Sequence, residues 1–199
     1  MRRATVKRTS RETTITVTVN LDGSGKTAVR TGIPFLDHMV TLFGTHGLID
    51  LSVRAVGDLD VDLHHTNEDV GLVMGQAVTK ALGDGRGIQR FGWAYVPMEE
   101  ALVRVVLDYS GRPKLIVRDQ RAPRNALRGS GTAYQWEDFE HWLESFVRSA
   151  KFTVHIDIFS GRDFHHTCEA IVKAFGRAIR QAIQRDAGRR GIPSSKGLL

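Results

Sequence analysis

The pentapeptide HHTNE at His64 to Glu68 returns as HHTCE at His165 to Glu169, 101 residues later. The register continues downstream, where Gly75 falls on Gly176, Ala77 on Ala178 and Ala81 on Ala182 at the same offset. Upstream it loosens. His38 precedes its pair by 26 residues and His141 precedes its own by 24, each directly after a carboxylate, Asp37 or Glu140. A chain duplicated in this way is expected to fold as two similar halves, each offering a lone His, a His pair and a Glu.

Repetition also gives the motif its chemical weight. One HH pair reads as readily as a polar helix start, whereas two pairs with Glu at the same spacing point to a paired-metal site. If each motif opens a helix, residues four apart share a face while the adjacent His points roughly 100° away. His64 and Glu68 can then grip one ion while His65 reaches another, and His165 with Glu169 divides from His166 in the same way. With His38 and His141, eight ligands divide as four for each of two ions, and a six-coordinate metal keeps two positions open for substrate or water. Nitrogen and carboxylate donors without thiolate suit manganese, iron, zinc or nickel, with octahedral manganese or iron preferred. Asp37, Glu140 and Asp69 stand either as acceptors for ligand imidazoles or as solvated helix-surface acids. Cys168 occupies the place of Asn67 and reads as a small packing residue.

At 199 residues, 41% hydrophobic and 25% charged, the chain is long enough to bury a sizeable core. No stretch approaches the roughly 18 apolar residues of a membrane span, and the Arg-rich start runs into polar TSRETT, so the expected compartment is the cytoplasm. The single Cys excludes an intramolecular disulfide framework. A net charge of +6 permits nucleic acid or a small phosphorylated substrate. Basic clusters in RDQRAPRNALR and QRDAGRR carry no interleaved aromatics for base stacking, which disfavours nucleic acid.

TITVTVNL alternates at period two, and DGSG turns it into KTAVRTGI, so the opening reads as a hairpin. FLDHMVTLFGTHG follows as a helix, IDLSVRAV as a strand, DLDVDL as another strand, and the segment from His64 to Leu82 as a helix ended by GDGRG. Strands around WAYVPM, ALVRVVLDY and KLIVRD, a helix with Phe139, Trp142, Leu143, Phe146 and Val147 on one face, the strand FTVHIDIF and a helix from His166 to about Gln184 repeat that order. The halves divide as 1–87 and 88–187, followed by a tail, 188–199.

PFLDHM, DLDVDLHHTNEDVG, SGRP, the second HH with its Glu followed by KAFGRA, and PSSKG occur in an order and spacing that, from about Arg8 to the tail, resembles the imidazoleglycerol-phosphate dehydratase family of histidine biosynthesis. The resemblance implies an α+β fold of two duplicated half-domains, each a mainly four-stranded sheet with two helices on one face, of the ribosomal-protein and GHMP-kinase kind. It also implies a left-handed βαβ crossover, against the general rule. It implies trimers assembled into 24-subunit particles, with active sites at subunit interfaces and two Mn2+ in each. The implied ligands are His38, His64, His65, Glu68, His141, His165, His166 and Glu169.

The implied reaction is a hydro-lyase step, the dehydration of imidazole glycerol phosphate to imidazole acetol phosphate. A metal-bound imidazolate expels the hydroxyl, the resulting diazafulvene loses its carbon proton, and the enol becomes the ketone. Glu12, Glu68 and Glu169 are the implied catalytic carboxylates, with Glu12 the acid/base. His46 and Lys173 join Glu12 and the ligands His38, His64, His65, Glu68, His165, His166 and Glu169 as substrate contacts, and Arg90, Arg112, Ser195 and Lys196 hold phosphate. The tail is expected to order with substrate. Taken alone, Glu12 also reads as a surface Glu beside a strand, and Arg112 as a solvated turn residue.

The chain departs from the family at Asp163, where Asn is usual, at Glu99 and Glu100, where PMDE is usual, and at Ser195 in place of Thr. His155, in a strand, reads as structural. The histidinol-phosphatase domain fused to many members is not expected within these 199 residues. Two other functions suit parts of the pattern: a dinuclear phosphate-ester hydrolase, and a basic RNA-binding module with structural metal.

Overall fold

The computed structural model describes residues 1–121 and 133–198. The first half contains β1 (Arg3–Thr9), β2 (Thr13–Asn20), β3 (Thr27–Arg30), α1 (Pro34–Gly47), β4 (Asp50–Gly57) and α2 (His64–Leu82). The second contains β5 (Phe91–Met98), β6 (Ala101–Asp108), β7 (Lys114–Asp119), α3 (Trp136–Ala150), β8 (Thr153–Ser160) and α4 (Phe164–Ile183). The two sheets run β1-β2-β4-β3 and β5-β6-β8-β7, the same order twice. In each, the third strand is parallel to the fourth and is joined to it by a helix. The fold is α+β and duplicated, as the repeat predicts.

Two strand expectations are corrected. The segment Thr14–Leu21 does not form a hairpin with KTAVRTGI; β2 turns back on β1, in register from Arg3↔Asn20 to Thr9↔Thr14. The DGSG turn is instead tied to the start of β4, where the Asp50 carboxylate accepts from the backbone N–H of Ser24 at 2.8 Å and of Lys26 at 3.0 Å. That anchor steers β3 to the free edge of β4. β1 carries little strand signal in the sequence, because its only inward apolar residues, Ala4 and Val6, are interleaved with Arg, Lys and Thr. DLDVDL is a turn, closed by Val61 N–H on the Asp58 carbonyl at 2.8 Å. β4 already has β2 on one side and β3 on the other, so an alternating segment there has no edge to join, and Val61 is left 67% exposed.

The buried faces of the strands (Ile15, Val17 and Val19 on β2; Val103, Val105 and Leu107 on β6) lie against helices. α1 and α2 cover the first sheet, and α3 and α4 the second. The helices then pack across the halves, α1 on α4 and α2 on α3. Phe43, Phe146 and Phe175 meet at this seam with ring centroids 5.4–5.6 Å apart. The repeat-related glycines set how closely the helices approach. A Cβ on Gly75 would lie 2.5 Å from the Phe146 carbonyl oxygen, and one on Gly176 2.6 Å from that of Phe43. Among the described residues no helix is long and apolar enough to cross a membrane.

Candidate metal centre

Both HH motifs open helices, and in each case an aspartate holds the start. The Asp62 carboxylate accepts from His64 N–H at 2.8 Å, and Asp163, the N-cap of α4, accepts from His166 N–H at 2.9 Å. The departure at Asp163 is thereby explained, since Asp and Asn are interchangeable N-caps.

The helix pairing then gathers two triads, His38 with His165 and Glu169, and His64 with Glu68 and His141, each with donor atoms within 4.8 Å of one another. Glu169 Oε1 lies 2.8 Å from His38 Nε2 and 2.9 Å from His165 Nε2. In the other triad Glu68 Oε1 is 4.0 Å from His141 Nε2, and the His64 and His141 rings are 4.5 Å apart. Each lone His thus serves the other half's motif, because α1 packs on α4 and α3 on α2. The repeat gives each half a lone His of its own and leaves open which motif that His joins.

Among the described residues, a single chain brings together three donors per cluster, not four. His65 and His166 point elsewhere, as their adjacency to His64 and His165 requires on a helix. His65 Nδ1 lies 3.0 Å from Asp58 and its Nε2 3.9 Å from Glu12, while His166 Nδ1 lies 2.9 Å from Glu100. The imidazole partners anticipated from sequence are engaged otherwise. Asp37 accepts from the Thr31 backbone and hydroxyl, Glu140 from Trp136 Nε1, and buried Asp69 from Arg8 and Thr13. Asp58 and Glu100 take that place. Asp58 lies in DLDVDL, whose alternation resembles a strand, and Glu100 matches the Glu of PMDE, so only its neighbour Glu99 marks a departure there.

The donor chemistry fits a divalent cation: two imidazoles and one carboxylate per cluster, with no thiolate. Burial raises the pKa of Glu169, but hydrogen bonds from Lys173, His38 and His165 outweigh it and bring the carboxyl down to about 2. It is therefore an anion at neutral pH, ready to bind a metal. Cys168, the residue before it, is fully buried and packs in the core. A cleft of about 610 Å³ with Ile33, Pro34, Leu59 and Leu63 in its walls opens beside His64.

The proposed substrate residues separate into two groups. Lys173 Nζ reaches Glu169 Oε2 at 2.5 Å, and His46, at the end of α1, has its pKa lowered by burial and then by the charges of Lys173 and Arg177. This group adjoins the His38 cluster. Arg90 lies elsewhere. It forks onto Asp108 at 2.6 and 2.9 Å, donates to the Pro193 carbonyl at 2.8 Å, and its backbone N–H bonds to Ala182 at the far end of α4. Ser195 and Lys196 follow Pro193 on the exposed tail, and Arg112 is exposed in the turn between β6 and β7. From Glu169 to Ala182 the helix makes more than three turns, about 20 Å at 1.5 Å per residue. Within one chain, a small substrate cannot touch both. His155 lies on the outer face of the second sheet, 3.1 Å from Arg118.

A family model described as imidazoleglycerol-phosphate dehydratase matches residues 31–179. The chain belongs to the imidazoleglycerol-phosphate dehydratase family. Proteins of that name from Chromobacterium violaceum and Aromatoleum aromaticum are each 50% identical to it over its whole length, and the match covers 99% and 100% of their own chains. The crystal structure of the family member from Staphylococcus aureus superposes with a TM-score of 0.79 at 35% identity, covering 92% of this chain and 99% of that one. That from Pyrococcus furiosus gives 0.81 at 30% identity, covering 98% and 100%. As a member of this dehydratase family the chain is an enzyme, a hydro-lyase.

Proposed function

We propose that the protein dehydrates imidazole glycerol phosphate to imidazole acetol phosphate in histidine biosynthesis, in the cytoplasm, with two Mn2+ in each active site. The observation that carries this reading is the pair of His–His–Glu clusters, each one ligand short, in a chain whose remaining two motif histidines, His65 and His166, point away from both. One chain's His65 and His166 complete clusters formed by its neighbours, so that His38, His165 and Glu169 join a His65, and His64, Glu68 and His141 join a His166. The separation of the Arg90 corner from the Glu169 cluster supports the same arrangement.

Bound cations would supply Lewis acidity at the ring nitrogens, making the ring able to push out the side-chain hydroxyl. The protein's own groups do the rest. Glu169 stays ionised, and Glu169 and Glu68 each face the imidazoles of their own cluster. Glu12, its carboxylate 3.9 Å from His65 Nε2 and half exposed, gives a proton to the departing hydroxyl and, as carboxylate, takes the proton from the adjacent carbon. Lys173 and His46 contact the substrate. Arg90, Arg112, Ser195 and Lys196 hold the phosphate, with the tail settling on it, and Arg90 already binds that tail at Pro193.

Self-association into trimers and 24-subunit particles is part of the proposal. Phe91, Trp93 and Tyr95 form a stripe on β5 that is 52–57% exposed, the kind of apolar surface that partners cover.

Purified protein loaded with Mn2+ and given imidazole glycerol phosphate should yield an enolisable ketone with the phosphate retained. Release of inorganic phosphate would instead establish the hydrolase. No turnover by the metal-loaded protein, together with retained nucleic acid whose binding weakens steeply as salt rises, would establish the RNA-binding alternative.

A further inference from the structure

The two halves hold their outward histidines by different means, and the difference assigns a task to Glu100. The halves can be aligned at two glycines, since a Cβ on Gly57 would run into the Thr66 hydroxyl and one on Gly161 into the Thr167 hydroxyl. After Gly57 the chain has residues 58–63 before its HH motif, whereas after Gly161 it has only 162–164. The residue following the glycine is Asp58 in one half and Arg162 in the other. The shorter loop therefore has no carboxylate where Asp58 reaches His65.

The substitute comes from the hairpin turn. Glu12 and Glu100 occupy matching places, each directly before the first inward residue of its sheet's second strand, Thr13 or Ala101. In the first half the Glu12 backbone carbonyl accepts from Asp58 N–H at 3.1 Å, leaving its carboxylate 54% exposed. In the second half the Glu100 side chain takes over the loop. Oε1 accepts from the backbone N–H of Arg162 at 2.9 Å and of Asp163 at 2.8 Å, and Oε2 faces His166 Nδ1 at 2.9 Å.

A carboxylate accepts only, so the ring nitrogen facing it carries a proton, and in the neutral ring the other nitrogen is left with its lone pair. We propose that Glu100 is a positioning residue that keeps the His166 proton on Nδ1 and so presents Nε2 as a metal donor, the task Asp58 performs for His65. The consequence is a division of labour between matching residues. Glu12, relieved by Asp58, is free for proton transfer; Glu100 is committed and does none.

This inference rests on the metal-dependent reading above, and Mn2+ titration of metal-stripped protein by calorimetry tests the two separately. In Glu100→Gln the side-chain oxygen can still accept from Arg162 and Asp163, but the amide now donates to Nδ1, drives the proton onto Nε2 and blocks the donor. In Glu100→Ala water replaces the carboxylate and either tautomer remains available. The expected order of Mn2+ affinity is wild type, then Ala, then Gln, with Gln about 10- to 100-fold weaker than wild type at the site His166 serves. If Glu100 only anchors the loop, Ala is the weaker variant, since Gln preserves both backbone bonds. That reversed order, or Gln binding as wild type does, overturns the proposal. A wild-type protein that takes up no Mn2+ overturns the metal reading itself.

Discussion

His38 Nε2 lies 2.8 Å from Glu169 Oε1, although 131 residues of chain separate them and they belong to opposite halves of the repeat. His141 stands in the corresponding relation to Glu68. The duplication is thus joined reciprocally: neither half holds a complete cluster, and each cluster depends on the seam between helices of different halves.

That dependence makes the clusters separable. Glu169→Gln should remove the ion held with His38 and His165 while sparing the one at His64, so elemental analysis of purified protein should find about half the wild-type metal, with activity lost. Unchanged metal content would remove Glu169 from the ligand set.

The seam itself can be tested without touching a ligand. A methyl at Gly176 must push α1 away from α4, and overpacking of this kind costs about 1–3 kcal/mol. Gly176→Ala should lower the melting temperature and weaken Mn2+ binding at the His38 cluster more than at the His64 cluster. Equal weakening at both would show that helix spacing is not what sets the donors.

Glu12→Gln should leave metal content as it is and lower turnover by about 10²- to 10⁴-fold, the usual worth of a general acid–base group. Turnover close to wild type would exclude it from proton transfer.

The 20 Å separation along α4 predicts complementation between subunits. Arg90→Ala and Glu169→Gln should each be nearly inactive alone, yet subunits mixed during assembly should regain a measurable fraction of activity, because a composite site can draw Arg90 from one chain and Glu169 from another. Mixed particles as inactive as either parent would place each whole site within one chain.

On the outer face of the second sheet, Asp157 is 3% exposed and accepts from Arg104 at 2.8 Å and Arg118 at 3.2 Å. Burial raises its pKa, but the two guanidinium groups outweigh that and set it below the ordinary 3.8. A carboxyl depressed in the folded state stabilises the protein above its unfolded pKa and ceases to do so as pH falls through the folded value. Asp157→Asn should therefore cost about 2 kcal/mol at neutral pH, discounted from a fully buried pair because the arginines are 35% and 52% exposed. Thermal melts of the metal-free proteins should show that gap closing below about pH 4. A gap independent of pH would assign the loss to packing.

Much of the fold was legible because it rests on local rules. The alternation in β2, β6 and β8 and the apolar stripes of the helices follow from side-chain period, which neighbouring residues decide. The errors at β1, β3 and DLDVDL share a cause. Which strand pairs with which depends on free sheet edges and on anchors such as Asp50, and neither is visible in a segment read alone.

By itself, the sequence determined that two matched sets of nitrogen and oxygen donors exist, that each motif opens a helix, and that adjacent histidines diverge. The tertiary structure decided which donors meet. Helix faces fix directions within an element, but only the packing of α1 on α4 and α2 on α3, allowed by glycines at the seam, selects the partner across it. The same packing left His65 and His166 aimed outward under the hold of Asp58 and Glu100, contacts made by loops whose lengths differ between the halves and which no repeat could foretell.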